Sequence, residues 1–346
     1  MTVEWSINGR FRGQTLSGVQ RVAAAYLRHL KSPHTVLMPR RPISGVKAHL
    51  WEQIVLPQMT GGRPLWSPCN TGPLAVTRQV VTIHDAAVFD HPEWFSHGFV
   101  RLYNLLLPPL AKRCLRVVTV SEFSRIRLAQ RLGIDVKRID VIWNGVDKNF
   151  APHSSAEIDV VKNAVGIGGA RYFASLSTLE PRKNLSLVLR AWQLAQPFLP
   201  KDMKLLIIGK KGAASVFRED RCVDTNIENV VYTGYLSEKM LPALLGGAEA
   251  VLYPSLYEGF GLPVVEAMAC GAPVMTTRLA SLPEIAGDAA IYVDAEDPQS
   301  LADQLICMAK SADFRSEYSG RGIERVKLFS WPEAAKRMDA ILTSLA

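Results

Sequence analysis

The sequence lacks any hydrophobic run long enough to cross a membrane. Although 48% of its 346 residues are hydrophobic, runs such as VVTI and LLII have only the length of a strand, far below the ~20 residues that a spanning helix needs. The first residues, MTVEWSINGRFRG, include polar and charged residues where a signal peptide carries its apolar stretch. We therefore expect a cytoplasmic globular protein, with enough chain for two domains of ordinary size.

Cysteines and metal-ligand patterns are also scarce. The five cysteines include no C-x-x-C pair and are odd in number, which argues against a disulfide framework and against a zinc site. No D-x-D occurs, and histidines and carboxylates do not cluster at ligand spacing, so we expect no metal and no other cofactor. No G-x-G-x-x-G follows the first predicted strand, which disfavours a nicotinamide oxidoreductase.

Positive charge is in excess. The formal net charge is +8, which indicates an anionic partner such as a nucleic acid, an acidic lipid or a phosphorylated small molecule. Much of the basic charge lies within residues 101–138, but no ladder of aromatic side chains suited to stacking bases accompanies it. We therefore expect no nucleic acid among the partners.

Strand-like apolar runs alternate with amphipathic helical patterns along the chain, which is typical of open parallel α/β sheets. Residues 148–165 carry a proline, two serines and mixed charge, and they are predicted to be a linker. We predict two Rossmann-like domains, residues 1–155 and residues 156–328. In such sheets the ligand binds at the carboxyl ends of the strands.

The most informative segment is LYPSLYEGFGLPVVEAMACGAPVMTT, residues 252–277. A buried strand is predicted to end at Pro254, and a loop with two glycines leads to a helix that begins at Pro263 and stops at Gly271. Glycines let a ligand approach the backbone closely, and the N-terminus of a helix favours a phosphate. Glu266, predicted in the first helical turn, suits a ribose diol, and Glu258 lies where a sugar would be. The alternative is a glycine-rich turn with two surface carboxylates.

This segment resembles the E-x7-E motif of the retaining GT-B glycosyltransferases of the group 1, or family 4, type, and the resemblance continues along most of the chain. In that family the first glutamate contacts the donor sugar and the second contacts the ribose, positions that Glu258 and Glu266 match. The family's glycine loop, whose amides would meet the sugar and the pyrophosphate, matches Gly259, Phe260, Gly261 and Leu262. The resemblance implies two domains that face a central cleft, and a C-terminal helix, here residues 329–346, that crosses back to the first domain.

A second segment, SLSTLEPRKN, follows a predicted strand at residues 175–184. Two basic residues just before a helix are suited to neutralising a diphosphate leaving group, although adjacent basic residues in a loop are more often simply solvated. By resemblance, Lys183 is the family's phosphate-binding lysine. Many relatives have an arginine five positions earlier, where this chain has Thr178, and Arg182 is the residue that would supply that charge.

A third segment, TIHDAAVFDHPEWF at residues 82–95, places His84 at the end of a buried strand. The His-Asp pair suits acid–base chemistry or a polar cap on the strand. In the family subgroup that shares this string, the histidine contacts the donor sugar. Gly18 matches the family's glycine loop near the donor and acceptor, or it is an ordinary turn. Gly209, at the end of another strand, is placed where backbone groups could meet the base.

Together these residues predict a metal-independent, retaining hexosyltransferase whose donor is a nucleotide sugar. The subgroup string resembles mannosyltransferases of bacterial surface-polysaccharide synthesis, which favours GDP-mannose, with UDP-glucose or another UDP-hexose as the alternative. The acceptor is expected to be a glycan or a lipid-diphosphate-linked saccharide. Two other functions remain open: an epimerase of GT-B shape, and a basic scaffold that binds membranes or nucleic acid without catalysis.

Residues 96–116, SHGFVRLYNLLLPPLAKRCLR, combine leucines with basic residues. Pro108 and Pro109 are predicted to break the helix in the middle. One interpretation is a helix pair packed on the first sheet, and the other is a patch that rests on the anionic inner face of a membrane.

Overall fold

The computed structural model describes residues 3–13, 18–176, 180–209, 227–234, 236–237 and 239–345. The chain divides into two compact units. Unit 1 comprises Met1–Pro92, His97–Gly145 and Phe329–Ala346, and unit 2 comprises Glu93–Ser96 and Val146–Leu328. The main division therefore lies between Gly145 and Val146, whereas the sequence analysis places it after residue 155.

Unit 1 is built on a parallel six-stranded sheet in the order β2-β1-β3-β4-β5-β6. Its strands are β1 (Trp5–Asn8), β2 (His34–Leu37), β3 (Leu65–Ser67), β4 (Gln79–Thr82), β5 (Arg116–Thr119) and β6 (Ile139–Val141). Its first helices are α1 (Gly18–His29), α2 (Gly45–Leu50), α3 (Leu56–Met59), α4 (Ala87–Asp90), α5 (His97–Arg113) and α6 (Glu122–Leu132). A π-helical turn, Trp51–Val55, joins α2 to α3.

Unit 2 is built on a second parallel six-stranded sheet, in the order β12-β11-β10-β7-β8-β9. Its strands are β7 (Tyr172–Leu176), β8 (Lys204–Ile208), β9 (Val230–Gly234), β10 (Val251–Tyr253), β11 (Val274–Thr277) and β12 (Ala290–Val293). Its helices are α7 (Ser155–Ala164), α8 (Leu185–Ala195), α9 (Leu241–Gly246), α10 (Leu262–Ala269), α11 (Leu282–Ala286), α12 (Pro298–Lys310) and α13 (Ala312–Val326). The predicted α/β class with two Rossmann-like sheets is confirmed.

The strands of unit 2 are apolar on both faces because helices cover both sides of the sheet. Successive residues of a strand point to opposite faces, and the core follows this alternation: Tyr172 and Ala174 lie in one hydrophobic cluster, and Phe173 lies in the other. Leu206 joins the first cluster and Leu205 the second. Parallel sheets covered in this way read as continuous apolar runs, which is why the strands were visible in the sequence.

Side-chain caps set the ends of several helices. Ser121 accepts a hydrogen bond from the backbone N–H of Ser124 at the start of α6. At the start of α7, Ser154 and Glu157 form a reciprocal capping box. This helix occupies the second half of the segment that the sequence predicts to be a linker.

The C-terminal helix, α14 (Trp331–Ser344), belongs to unit 1 and packs on α1. The ring of Trp331 meets that of Tyr26 edge-on, with 5.6 Å between the ring centroids. The Asp339 carboxylate accepts hydrogen bonds from the backbone N–H groups of Lys31 and Ser32, at 3.0 and 2.9 Å. The predicted return of the terminal helix to the first domain is therefore confirmed.

Gly145, the last residue of unit 1 before the chain enters unit 2, lies directly against α14. A Cβ at this position would lie 2.2 Å from the backbone nitrogen of Trp331. The backbone of Trp331 cannot move away as the end of a flexible side chain could. We expect Gly145→Ala to lower the free energy of unfolding by about 1–3 kcal/mol, measured by denaturant unfolding. The matched control is Gly169→Ala, because a Cβ there meets nothing within 4 Å. Equal stability of the two variants would contradict the packing of α14 described here.

The helix α5 departs from the sequence prediction. It continues through Pro108 and Pro109 without a break, so the prediction of a helix pair is wrong. Leu106, Leu107 and Leu110 are buried, and their packing offsets the roughly 3 kcal/mol that an interior proline costs. The apolar surface expected over residues 96–116 is therefore mostly core. Among the described residues, no helix is both long and apolar enough to cross a membrane.

Candidate functional site

The candidate site of unit 2 lies where the strand order of its sheet reverses. From β7 the chain builds β8 and β9 on one side of the sheet, then returns to build β10, β11 and β12 on the other. The strands β7 and β10 pair in parallel, so their carboxyl ends lie side by side at one edge. In open α/β sheets this reversal point is where ligands bind.

Lys183 follows β7, in a single 3-10 turn formed by Pro181–Lys183. Asn184 then takes a left-handed conformation, with φ of 54°, and α8 begins at the next residue. The Lys183 ammonium donates a hydrogen bond to the Tyr253 hydroxyl and another to Glu258 Oε1, the latter at 2.5 Å. Only 10% of the Lys183 side chain is exposed. The lysine is thus held at the sheet edge.

Glu258 follows β10 and is the acceptor at the centre of the site. Its Oε1 also accepts hydrogen bonds from the hydroxyl of Tyr253 at 2.7 Å and from that of Ser255 at 2.8 Å. The loop that carries it is fixed as well, because Ser281 Oγ donates to the Glu258 carbonyl at 2.9 Å. A carboxylate held by so many donors keeps a single orientation.

Arg182 lies between two carboxylates. Its Nε donates to Glu180 at 2.8 Å, and one terminal nitrogen lies 3.3 Å from each carboxylate oxygen of Glu258. With Lys183, the cluster contains two cationic side chains and two carboxylates that neutralise each other. The predicted pair of basic residues and the first glutamate are therefore brought together, although they are 75 and 76 residues apart in sequence.

The charges of this cluster shift its pKa values. Burial alone would raise the pKa of Glu258, but the nearby charges of Lys183 and Arg182 outweigh it and lower that pKa to about 2. Burial lowers the pKa of Lys183, and the like charge of Arg182 lowers it further, against the opposing effect of Glu258. The Glu258 carboxyl is thus ionised at neutral pH, so it acts as an acceptor of hydrogen bonds and not as an acid.

The glycine loop leads from Glu258 into α10 as predicted. Gly259, Phe260 and Gly261 are buried, and Leu262 is the first helical residue. Gly261 has φ of 95°, and a Cβ there would lie 3.0 Å from Leu282 Cδ2, so both conformation and space favour glycine. The loop therefore holds its backbone close to the N-terminus of α10.

Glu266 is more deeply placed than the sequence predicted. Because α10 begins at Leu262, Glu266 is its fifth residue and lies beyond the first turn, where the sequence analysis had put it. Only 4% of the residue is exposed. The neighbouring side chains of α10 are buried all round, which encloses Glu266 along with them.

Thr178 and Gly209 are two further residues that the sequence analysis places at the donor. Thr178 lies outside the described residues. Gly209 does follow β8, but its backbone N–H donates to the carbonyl of Gly234 at 3.1 Å. Its amide is therefore engaged in the sheet.

In unit 1, His84 lies two residues beyond β4 and is buried. Its Nε2 lies 3.1 Å from the carbonyl oxygen of Pro68; a carbonyl only accepts, so Nε2 carries the proton. Burial lowers the pKa of His84, although the Pro68 carbonyl and Asp85 act to raise it. The lowered pKa favours a neutral ring, in which Nδ1 is an acceptor. The Asp85 carboxylate accepts a hydrogen bond from the backbone N–H of Ala87 at 3.0 Å, so it caps the turn that follows.

Gly18, the other residue predicted to lie near the donor in this unit, is the first residue of α1, and open space surrounds its Cβ position.

The sequence analysis missed a buried polar cluster at the reversal point of the first sheet, between β1 and β3. Glu52, fully buried on the π-helical turn, accepts hydrogen bonds from Asn8 at 2.7 Å and from Thr71 at 2.8 Å. Arg10 lies 3.4 Å from the same carboxylate and donates to Thr71. Asn8 is the last residue of β1, Arg10 follows that strand, and Thr71 follows β3. The π turn that carries Glu52 is of a kind frequent at functional sites. The placement of Asn8, Arg10 and Thr71 at or after strand ends is the sequence feature that could have indicated this cluster.

The site offers no cluster of metal ligands in the part of the chain that the structure describes. Within those ranges, no group of three or more His, Cys, Asp or Glu side chains is arranged to hold a metal ion. The groups that could meet a diphosphate at this edge are the side chains of Lys183 and Arg182 and the N-termini of α8 and α10.

Comparison with protein families gives two matches. Residues 158–325 match the model described as glycosyl transferases group 1, and residues 54–150 match glycosyltransferase family 4. The chain is 31% identical over 265 residues to O-antigen chain mannosyltransferase B of Escherichia coli, covering 75% of this chain and 68% of that protein. It is 28% identical over 233 residues to O-antigen chain mannosyltransferase RfbU of Salmonella typhimurium, covering 67% of this chain and 60% of that protein.

Comparison with solved structures concerns the fold. The structure is similar to that of HepE from Anabaena, solved with UDP and glucose, with a TM-score of 0.75 and 16% identity over 99% of this chain and 100% of that one. It is also similar to WaaG, a glycosyltransferase of lipopolysaccharide biosynthesis, with a TM-score of 0.68 and 14% identity over 99% of each chain. These similarities identify the fold as GT-B.

Proposed function

We propose that this chain, which belongs to the group 1 and family 4 glycosyltransferases, transfers mannose from GDP-mannose to a saccharide acceptor in the synthesis of a surface polysaccharide. The mannosyl donor is supported by the two O-antigen mannosyltransferases, which are 31% and 28% identical to the chain. The observation that carries the proposal is the Lys183–Glu258 pair at the reversal point of the second sheet.

Each residue of the site has a role in this reaction. Lys183 and Arg182 bind the diphosphate together with the helix N-termini, and they stabilise the charge that develops on it as the bond to the sugar breaks. Glu258 accepts hydrogen bonds from hydroxyls of the donor sugar. Glu266 binds the ribose, and the backbone of the glycine loop lies against the sugar and the pyrophosphate. By the family resemblance, His84 contacts the donor sugar, as a neutral ring.

Donor binding changes the partners of Lys183. Without a donor, Lys183 and Arg182 are neutralised by Glu258 and Glu180. A diphosphate that reaches the sheet edge competes with Glu258 for the Lys183 ammonium, because both are anions within reach of one cation. The carboxylate released in this way is then available to the hydroxyls of the sugar. The free site thus holds its two main binding groups in position by pairing them with each other.

The family resemblance supports retention of the anomeric configuration, through attack on the same face within a short-lived ion pair. The leaving diphosphate takes the electron pair of the bond to the sugar, and its oxygen next accepts the proton of the acceptor hydroxyl. For the acceptor we propose a growing glycan or a lipid-diphosphate-linked saccharide on the cytoplasmic side of the membrane. The names of the two O-antigen chain relatives support a growing glycan.

The reaction should not require a divalent metal, because Lys183 and Arg182 meet the charge of the leaving diphosphate. Transfer from GDP-mannose to a saccharide acceptor is therefore expected to continue at an unchanged rate in EDTA, measured as acceptor-dependent release of GDP. Complete loss of transfer in EDTA, with recovery on addition of Mg²⁺ or Mn²⁺, would contradict this role of the two basic residues.

A further inference from the structure

The backbone of His84 is held in place by a side chain of a neighbouring loop. Because β4 ends at Thr82 and the adjacent strand β3 ends at Ser67, the N–H of His84 lies beyond the hydrogen-bond ladder of these two strands. A buried backbone N–H without a partner costs free energy. Here the N–H donates to the side-chain Oδ1 of Asn70, at 2.9 Å. The loop after β3 therefore supplies the bond that the sheet does not.

Asn70 combines its backbone and its side chain to imitate a strand residue. Its own N–H donates to the carbonyl of Thr82 at 2.9 Å, while its Oδ1 accepts from the N–H of His84. A residue of a parallel strand that faced Ile83 would form the same two bonds. The backbone of Asn70 is left-handed, with φ of 65°, a conformation that asparagine adopts more readily than most residues. Its side chain also hydrogen-bonds the hydroxyl of Tyr103 on α5, which fixes the orientation of the amide.

The same loop also binds the ring of His84. The carbonyl of Pro68 lies 3.1 Å from Nε2, which keeps the ring proton on that nitrogen and leaves Nδ1 as an acceptor. Within the part of the chain that the structure describes, no residue hydrogen-bonds Nδ1. The backbone and the ring of His84 are thus bonded to two residues of one loop, Asn70 and Pro68.

The π-helical turn anchors this loop on its other side. Thr71, the residue after Asn70, donates to the carboxylate of Glu52 at 2.8 Å and accepts from Arg10 at 2.8 Å. Gln53, the next residue of the turn, donates to the carbonyl of Gly72 at 2.9 Å. The buried polar cluster of unit 1 therefore holds the loop, and the loop holds His84.

We propose that Asn70 is a positioning residue for His84. Its side chain joins the loop after β3 to the residue that follows β4, so that the Pro68 carbonyl stays within reach of Nε2 and the ring offers Nδ1 as an acceptor. Asn70 acts through His84 and needs no contact with a substrate. Its effect on the ring concerns unit 1 alone, whereas its effect on transfer rests on the proposed function, in which His84 contacts the donor sugar.

The first test observes the ring of His84 without any substrate. Long-range proton–nitrogen correlation spectra of the full chain with labelled histidine report which ring nitrogen carries the proton, and His84→Ala assigns the signal among the seven histidines. At neutral pH the wild type should carry the proton on Nε2. Asn70→Gly keeps the left-handed conformation and deletes the side chain, and it should show both tautomers in exchange. Asn70→Asp keeps an acceptor and tolerates the same conformation, so it should restore the wild-type spectrum.

The second test measures transfer from GDP-mannose to a saccharide acceptor. Asn70→Gly should lower kcat about tenfold, because a misplaced group loses its alignment with the reacting atoms. KM for the donor should change little, since the groups of unit 2 that bind the diphosphate and the ribose are intact. Asn70→Asp should recover most of the lost rate. In a His84→Ala background, Asn70→Gly should have no further effect, because a residue that acts through another is silent without it.

Asn229→Gly is the matched control. Asn229 is also left-handed, with φ of 61°, and its Oδ1 accepts a hydrogen bond from Lys204 at 2.6 Å. It lies at the amino end of β9, away from the strand ends that form the candidate site, so this variant should keep the wild-type kcat and the wild-type spectrum of His84. Positioning is refuted if Asn70→Gly leaves the tautomer of His84 unchanged, or if it lowers kcat by the same factor with and without His84. A His84→Ala enzyme with the wild-type kcat would contradict the role of His84 in the proposed function, and the spectrum of His84 would still decide whether Asn70 positions the ring.

Discussion

Lys183→Ala is expected to lower kcat for sugar transfer by about 100-fold or more. The ammonium of Lys183 lies at the carboxyl end of β7 and is the buried cation closest to Glu258, at 2.5 Å. Without it, the partners that the described residues still offer the diphosphate in the transition state are Arg182 and the helix N-termini. The rate would be measured as release of nucleoside diphosphate from saturating donor in the presence of acceptor.

Two variants separate the charge of Lys183 from its packing. Lys183→Gln keeps a polar side chain with hydrogen-bond donors but carries no charge, and it should lose nearly as much activity as the alanine variant. Lys310→Ala, at the exposed end of α12, should be fully active. Since burial and Arg182 lower the pKa of Lys183 from 10.5, kcat/KM of the wild type should also fall as the pH rises through a value below 10.5. A folded Lys183→Gln protein with wild-type kcat would contradict the assigned role.

The second large effect is expected at Glu258. Glu258→Gln keeps the size of the side chain but removes the charge that accepts hydrogen bonds from the sugar, and it should lower kcat by about 100-fold. Glu258→Ala should have a similar effect and should also destabilise unit 2 by about 3 kcal/mol, because Lys183 and Arg182 are then left without their shared carboxylate. Activity is therefore compared well below the unfolding temperature of each variant.

Glu324→Gln is the matched control for Glu258. Glu324 lies on α13 and forms an exposed ion pair with Lys327 at 2.6 Å, and such a pair contributes little to stability. Both its activity and its unfolding temperature should equal those of the wild type. If Glu258→Gln were as active as Glu324→Gln, the carboxylate would not contact the donor sugar.

Much of the second domain could be predicted from its sequence because each pattern has a local physical cause. Strands covered on both faces are continuously apolar, as in LLII of β8, and the glycine loop at Gly261 needs a left-handed conformation next to a helix N-terminus. The two segments that contain Lys183 and Glu258 could therefore be located separately. The structure brings them together because β7 and β10 are neighbours in the sheet.

Features that depend on tertiary contacts could not be predicted. Tyr253 and Ser255 lie within the motif segment, yet nothing in their spacing shows that both donate to Glu258. The prolines of α5 predict a break, and only the burial of its leucines explains why the helix continues.

The most direct measurement is donor consumption with and without an acceptor. The wild type would be incubated with GDP-mannose, UDP-glucose and other nucleotide hexoses, each with and without a saccharide acceptor, and both the nucleotide and the sugar would be followed. We expect GDP-mannose to be consumed only when the acceptor is present, with mannose appearing on the acceptor, and Lys183→Gln to abolish this transfer. Conversion of the donor to an epimer without any acceptor, or no consumption of any donor by the wild type, would contradict sugar transfer at this site.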